Sequence, residues 1–350
     1  MPLKGLILTG HRPTGPRHIG HLVGTLQTWA GLQDSYQCLF LVADLHVLTT
    51  DYTHPQTIQA NTIEMVKDWL AVGIDPHRSL LILQSAIPEH AQLSILLSML
   101  AKVSRLTRVP TYKDQVKQLN LQPSLGLLAY PVLQAADILI YRATHVPVGA
   151  DQLPHLELAR EIARRFNQLY VDYFPEPQAI LSDTPALPGL DNRTMHTSYG
   201  NAIFIKDSPE ETTRKIMSMF TDPTRIHASD PGHIENNPLF AYLQAFDADK
   251  EEIEEFKALY QRGKIGDVDL KHHLAGSINE YLAPIRERRS SLGKTVPEIH
   301  AILRAGTEQA RALAQETLRG AQELMGLRLA TEIRKTNFQP VTTRLTGTFC

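Results

Sequence analysis

Two cysteines in 350 residues are too few for a disulfide framework. Cys38 lies inside an apolar strand-like run and Cys350 is the last residue, so a reducing, cytoplasmic setting is expected. Long apolar runs are missing as well. None reaches the ~18 residues that cross a bilayer, and no membrane partner is expected. The opening stretch MPLKGLILTG has too short an apolar segment for a secretory signal and reads as the approach to a strand. Neither sign of charge dominates: 35 Lys and Arg face 37 Asp and Glu, for a net charge of -2. That balance excludes whole-molecule attraction to nucleic acid and leaves only a local basic face, with no DNA partner expected. No clustered Cys or acidic residue completes a ligand set beside the His-x-x-His pair at 18–21, so no tightly bound metal is expected. Internal repeats and low-complexity tracts are absent.

What is present is ordinary in bulk but strongly ordered along the chain. Apolar residues are 43% and charged residues 21%, the balance of a soluble globular protein long enough for two or three compact units. Apolar runs at 3–10, 38–49, 79–87 and 137–149 predict buried parallel strands. Helices are expected between them at 19–34, 56–72 and 89–107, and another opens near Gln152. In the third, Leu93, Leu96, Leu97, Leu100 and Val103 recur at helical spacing. This alternation predicts an α/β fold with a Rossmann-type doubly wound parallel sheet, whose ligands sit at the carboxyl ends of the strands. A Pro/Gly/Asp-rich stretch at 182–194 ends the alternation. From about Glu210 to Leu327 the sequence reads as helices, clearest at 270–292 and 299–327, and 336–350 is expected to be an irregular tail.

The loop after the first strand, TGHRPTGPRHIGHLVG (9–24), opens a helix. Gly10, Gly15, Gly20 and Gly24 would let backbone approach a ligand, and a helix N-terminus there favours an anion. His18 and His21, three apart, can point to one side and donate to a developing phosphate charge. His-x-x-His alone would arise by chance about 0.6 times in such a chain, but Gly before the second His lowers that to about 0.04. Farther on, Tyr130, Gln134 and Asp137 fall at i, i+4 and i+7, a polar stripe among apolar neighbours that suits an amino-acid pocket or a few internally satisfied groups.

In this setting HIGH (18–21) resembles the first signature of the class I aminoacyl-tRNA synthetases. RPTG, GHLVGTLQTW, AVGIDP, AYPVLQAADILIY, VPVGADQLPHLELAREIARRFN and AQELMGL resemble the tryptophanyl-tRNA synthetase branch. The match covers most of the chain, to about Arg334. The resemblance implies a HUP-like Rossmann catalytic unit over 1–190, with a helical insertion at about 76–130 that forms a homodimer interface. It implies a mobile loop at 191–205 and a helical, anticodon-binding unit over 206–335 whose end packs back on the catalytic unit. Implied substrates are L-tryptophan, ATP as its Mg²⁺ complex, and tRNA(Trp).

Site residues carry over from the same motifs. Arg12, Thr14, His18, Gly20, His21, Gly149, Asp151, Thr194, Met195 and Thr197 are expected to meet ATP, with His18, His21, Arg12 and Lys113 catalytic. Tyr130 and Gln152 would hold the tryptophan α-amino group, His46 would lie near its carboxylate, and Asp137 would accept the indole N–H beside Gln134. Leu8, Val146 and Val148 would form the apolar walls. Leu8 stands where tyrosyl enzymes typically have a Tyr, which favours tryptophan over tyrosine.

The second signature, Lys-Met-Ser-Lys-Ser, is altered. Thr194, Met195, His196, Thr197 and Ser198 occupy it, with both lysines replaced by threonine. Losing one cation that reaches pyrophosphate only in the transition state costs ~2.7–4 kcal/mol. Arg12, Arg193, a protonated His196, Lys113 and Mg²⁺ are the candidates to take over that charge. The cluster Arg286, Arg288, Arg289 and Lys294 is either a solvated face or a tRNA phosphate contact. The alternatives carried forward are a tyrosyl-tRNA synthetase relative, or a paralogue that binds tryptophan, ATP or a protein with weak or no aminoacylation.

Overall fold

The computed structural model describes residues 3–118, 123–149, 152–181, 187–223, 225, 227, 229–292 and 295–328. Five strands, β1 (Leu6–His11), β2 (Gln37–Val42), β3 (Leu80–Leu83), β4 (His145–Val148) and β5 (Gln178–Leu181), form one parallel sheet in the order β3-β2-β1-β4-β5. β1 is central and pairs with β2 from Leu6↔Gln37 to His11↔Val42, and with β4 at Ile7↔His145. The chain leaves β1 toward β2 on one side and returns as β4 on the other. The topological switch point therefore lies between the carboxyl ends of β1 and β4, where open α/β sheets place ligands.

The helices, in chain order, are α1 (Ile19–His21), continued through a π turn at Leu22–Leu26 into α2 (Gln27–Leu32), then α3 (Asp44–Asp51), α4 (Ile58–Val72), α5 (Glu89–Ser98), α6 (Val103–Leu106), α7 (Pro110–Gln118), α8 (Leu125–Ile140) and α9 (Leu153–Leu169). After β5 come α10 (Pro209–Met217), α11 (Pro238–Phe246), α12 (Lys250–Gln261), α13 (Asp267–Ser291) and α14 (Val296–Leu324). Side chains alternate across a strand, so each sheet face feeds its own core. Ile7, Cys38, Phe40, Val42 and Leu81 pack with α2, α4 and the helices from α10 to α13. Leu8, Leu39, Leu41 and Ile82 pack with α5, α8, α9 and α14.

α14 covers the edge strand β3. A Cβ on Gly306 would lie 2.3 Å from the Leu81 carbonyl oxygen, and Thr307 Oγ1 accepts the Leu83 N–H at 3.0 Å. An edge N–H that would otherwise invite another strand is thereby capped.

Three expectations change. The apolar run at 137–149 is only partly strand: Asp137–Ile140 finish α8, and β4 begins at His145. The run at 38–49 is β2 followed by α3. In the first the last turn of α8 is buried on every side and so loses its 3.6-residue period; in the second the apolar residues of the first turns of α3 simply continue the apolar run of β2. The helix expected at 89–107 is α5 and α6 with a break between them. In it Leu93 and Leu97 are core and Leu96 and Leu100 pack against it, whereas Ile95, Met99 and Val103 point outward at 61%, 70% and 63% exposure. Strand β5 has no counterpart among the expected elements. The tail at 336–350 lies outside the described residues. No helix among the described residues is long and apolar enough to cross a membrane.

Candidate functional site

The loop leaving β1 is held by its own backbone. The Arg17 N–H donates to Asp68 Oδ2 at 2.7 Å, the Arg17 carbonyl accepts from Ile205 N–H at 2.9 Å, and Ile19 N–H donates to the Ile203 carbonyl at 2.9 Å. His18 then caps α1: its Nδ1 accepts the His21 N–H at 3.2 Å. The two imidazoles lie 3.7 Å apart, centroid to centroid. Burial, helped by Arg17, pushes His18 down to about 3 and His21 well below the usual histidine range. Both rings are neutral at pH 7, so each offers one N–H donor and no charge. Neighbouring His11, stacked on Trp29 with centroids 4.4 Å apart, is lowered by burial as well.

The glycines of this loop serve different ends. Gly10 is needed by the sheet: a Cβ there would meet the Leu41 carbonyl oxygen at 2.2 Å. Gly15 (φ +132) adopts a conformation that L side chains avoid, and a Cβ on it would lie 3.2 Å from Thr197 Cγ2. A Cβ on Gly20 would meet Met195 Sδ at 3.0 Å. Gly24 has open space around it. The two segments that carry the phosphate-type signatures, 12–21 and 194–198, thus lie against each other. Met195 is itself buried in the core beside Gly20.

The second segment is an internally braced loop. Asn201 is buried; its Nδ2 donates to Asp191 Oδ1 at 2.8 Å and to the Thr194 carbonyl at 3.1 Å, and its Oδ1 accepts from His196 N–H at 3.0 Å. Arg193 pairs with Asp191, Nε to Oδ2 at 2.8 Å, at an exposed position. Burial first, and then Arg12, lower the His196 imidazole, so it too is a poor cation at neutral pH. Arg12 sits between loop and pocket. Its Nη2 donates to Thr50 Oγ1, its Nε is buried with no protein partner, and its charge is felt by both Tyr130 and His196. Thr14 and Lys113 are exposed. Gly149 accepts the Gln152 N–H through its carbonyl at 3.0 Å. Asp151 lies outside the described residues, and nothing is described of the Ser198 side chain.

α8 gathers the predicted substrate residues. Asp137 is buried and accepts from His46 Nε2 at 2.9 Å, His90 Nδ1 at 2.6 Å and Gln84 Nε2 at 2.8–2.9 Å on both oxygens. His90 Nε2 meets the Tyr141 hydroxyl at 2.7 Å. One turn-pair back, Tyr130 OH, Thr111 Oγ1 and His155 Nε2 form a triangle of 2.6–3.0 Å, and His155 Nδ1 meets Gln152 Oε1 at 3.1 Å. Tyr130 and Gln152 are therefore joined through His155, and His46 links the two groups, its ring edge-on to Tyr130 at 6.4 Å. Leu8 and Val146 are buried in the core on this side of the sheet, with Val148 packed against it; Gln134 is partly exposed. Reading the sequence had not singled out Gln84, His90, Thr111, Tyr141 or His155. The available signal was polarity at positions whose neighbours are apolar, as at His90 between Ile87 and Leu93.

Burial alone would raise the Asp137 carboxyl, but hydrogen bonds and charge from His46 and His90 outweigh it and hold the group at about 2. A depressed carboxyl contributes stability that is present above its unfolded value of ~3.9 and lost as pH falls through the folded value. Urea unfolding between pH 6 and pH 3 is expected to show wild type losing about 1 kcal/mol more than Asp137→Asn. Equal pH slopes for the two proteins would mean that the partners do not favour the ionised form.

The basic cluster of α13 is occupied within the chain. Arg286 donates to Thr212 Oγ1 and Asn279 Oδ1, Arg288 to the Ala71 carbonyl, and Arg289 to Asp68 and Glu64. These three are not a free phosphate-binding face; Lys294 lies outside the described residues.

Comparison with known proteins places this geometry. Residues 4–283 match the family model described as tRNA synthetases class I (W and Y). The chain is 47% identical over 324 residues to a tryptophan–tRNA ligase of Thermotoga maritima, covering 92% of this chain and 99% of that one. It is 45% identical over 325 residues to the Treponema pallidum (strain Nichols) protein of the same name, covering 92% and 96%. A crystal structure of the Campylobacter jejuni tryptophanyl-tRNA synthetase complexed with ADP and tryptophan superposes with a TM-score of 0.80 at 33% identity, covering 92% of this chain and 99% of that one.

Proposed function

The chain belongs to the class I tRNA synthetases of the tryptophan and tyrosine type, and from that premise we propose that it is an ATP-dependent tryptophan–tRNA ligase. The tryptophan carboxylate attacks the α-phosphorus of ATP, the bond to pyrophosphate breaks, and tryptophanyl-adenylate forms. A ribose hydroxyl at the tRNA(Trp) terminus then attacks the carbonyl and releases AMP. ATP enters as its Mg²⁺ complex, and the ion travels with the substrate. A tRNA substrate implies work in the cytoplasm.

The observation that carries this reading is the joining of two groups at the β1/β4 switch point: the His18–His21 pair against Thr197 and Met195, and the Tyr130–His155–Gln152 and Asp137–His46 networks beside them. In this reading His18 and His21 donate to the phosphates as neutral imidazoles. Tyr130 and Gln152 hold the α-amino group, with His155 fixing their spacing. Asp137 accepts the indole N–H between Leu8, Val146 and Val148, and a buried carboxylate deprived of that partner disfavours phenylalanine. All four acceptor sites on Asp137 already face protein donors, so the indole displaces one of them, and His46 is the donor on a separate short helix. Arg12, Gly149 and the Thr194–Thr197 segment complete the ATP site. The outward Ile95, Met99 and Val103, with Leu125 at 79% exposure, support a homodimer through the 76–130 region.

Tryptophan-dependent ATP–pyrophosphate exchange tests the proposal. Exchange with tryptophan, and at least ~10²-fold less with tyrosine, is the expected result. Exchange with tyrosine alone would favour the tyrosyl alternative. Binding of tryptophan and ATP without exchange or tRNA charging would favour a paralogue that has lost turnover with its two lysines.

A further inference from the structure

The arginine that docks α13 also reaches the first phosphate loop. Arg289 Nε donates to Asp68 Oδ1 at 2.7 Å, and its Nη2 to Glu64 Oε2 at 2.8 Å. Asp68 sits on α4 at 0% exposure, and its other oxygen, Oδ2, accepts the Arg17 N–H at 2.7 Å. Arg288, one residue earlier, holds the end of α4 through the Ala71 carbonyl at 2.7 Å. One buried carboxylate thus connects a helix late in the chain to the backbone N–H of Arg17, the residue before His18. The Arg17 carbonyl and the Ile19 N–H on either side of His18 are held by Ile205 and Ile203, at the end of the 191–205 loop.

We propose that Arg289 and Asp68 are positioning residues for amino-acid activation, holding the Arg17 backbone N–H, and with it His18, where the histidine pair meets the ATP phosphates. This rests on the reading of that loop as the ATP site. The physical reason is that a carboxylate in a dry interior is tolerable only while a cation and hydrogen bonds satisfy it. Without Arg289, Asp68 takes up a proton or leaves the interior, and the Arg17 N–H exchanges a charged acceptor for a weaker one. His18 is the next residue and caps the helix that carries His21, so any shift moves both rings together. Displacements of about 1 Å at such a site cost ~10²-fold in rate.

The test uses the full chain as wild type, Arg289→Gln, Arg289→Lys, Asp68→Asn and the Arg289→Gln/Asp68→Asn double variant. Hydrogen exchange of residues 12–22 reads the loop without turnover, calorimetry reads Mg²⁺–ATP affinity, and pyrophosphate exchange gives kcat and KM for each substrate. Arg289→Gln is expected to speed amide exchange in 12–22 by about tenfold. It should lower kcat/KM for ATP by ~10–100-fold and leave the KM for tryptophan within about twofold. Arg289→Lys should recover part of the loss, and the double variant should fall short of additivity. Unchanged protection of 12–22 would overturn the proposal. So would a lowered Tm with the ATP and tryptophan parameters falling together, which a merely structural role produces. If Arg289→Gln does not fold, Arg289→Lys decides: an unaltered KM for ATP with unaltered protection overturns the coupling. If wild type shows no exchange with tryptophan, the activation reading fails, while amide exchange and ATP affinity still decide the link.

Discussion

Replacing Arg12 with alanine is expected to lower kcat/KM for tryptophan-dependent exchange by about 10²–10³, or ~2.7–4 kcal/mol. The reason is the shortage of free positive charge around the proposed phosphate site. Thr194 and Thr197 stand where the related signature has lysines, and a hydroxyl offers one neutral hydrogen bond. Arg193 is paired with Asp191, and burial keeps His18, His21 and His196 neutral. Lys113 stands exposed on α7. Arg12 is the cation whose charge reaches both Tyr130 in the pocket and His196 in the loop, and its buried Nε has no protein acceptor. Burial lowers its pKa, partly offset by Tyr130 and Asp51, yet a guanidinium stays charged at neutral pH. Arg214→Ala, at an exposed arginine paired with Glu211, is the control. If both substitutions leave exchange nearly unchanged, Arg12 does not carry the missing lysine charge.

Asp137→Ala is expected to cost about 3–5 kcal/mol of stability and to lower Tm by about 5–10 °C. It removes in one step the acceptor of His46, His90 and Gln84, all buried donors. A buried donor without a partner loses its bonds to water and gains none in exchange. Tryptophan-dependent exchange should fall by more than ~10²-fold even at temperatures where the variant is fully folded, because in the proposed pocket the indole N–H loses its acceptor as well. Thermal unfolding and exchange on the same preparation separate the two losses. A Tm within about 1 °C of wild type would show that the three donors find other partners.

The parts of the site that were legible in the sequence are those written in contiguous residues. HIGH after an apolar strand, TMHTS in a Gly/Asp-rich loop, and Tyr130, Gln134 and Asp137 at helical spacing each announce themselves locally. The networks around them do not. Gln84 and His90 reach Asp137 from 53 and 47 residues away. His155 stands in a quoted motif yet has no meaning until α9 lies against α8, where it joins Tyr130 to Gln152. The stripe from Leu93 to Val103 shows helical spacing, and spacing alone does not separate a core face from an interface. Packing assigned Leu93 and Leu97 to the core and left Val103 of that stripe facing outward with Ile95 and Met99.

By itself, then, the sequence determined the α/β alternation, the helical second half, the two phosphate-type loops and the family likeness, because period, turn chemistry and ordered motifs are properties of neighbouring residues. Only the tertiary structure decided which charges remain available. Arg12, Arg193, Arg286, Arg288 and Arg289 look alike as letters, yet Asp191, Thr212, the Ala71 carbonyl and Asp68 engage the last four. Charge and hydrogen bonding depend on distances across separate elements and on how much water remains between them, and no local pattern encodes either.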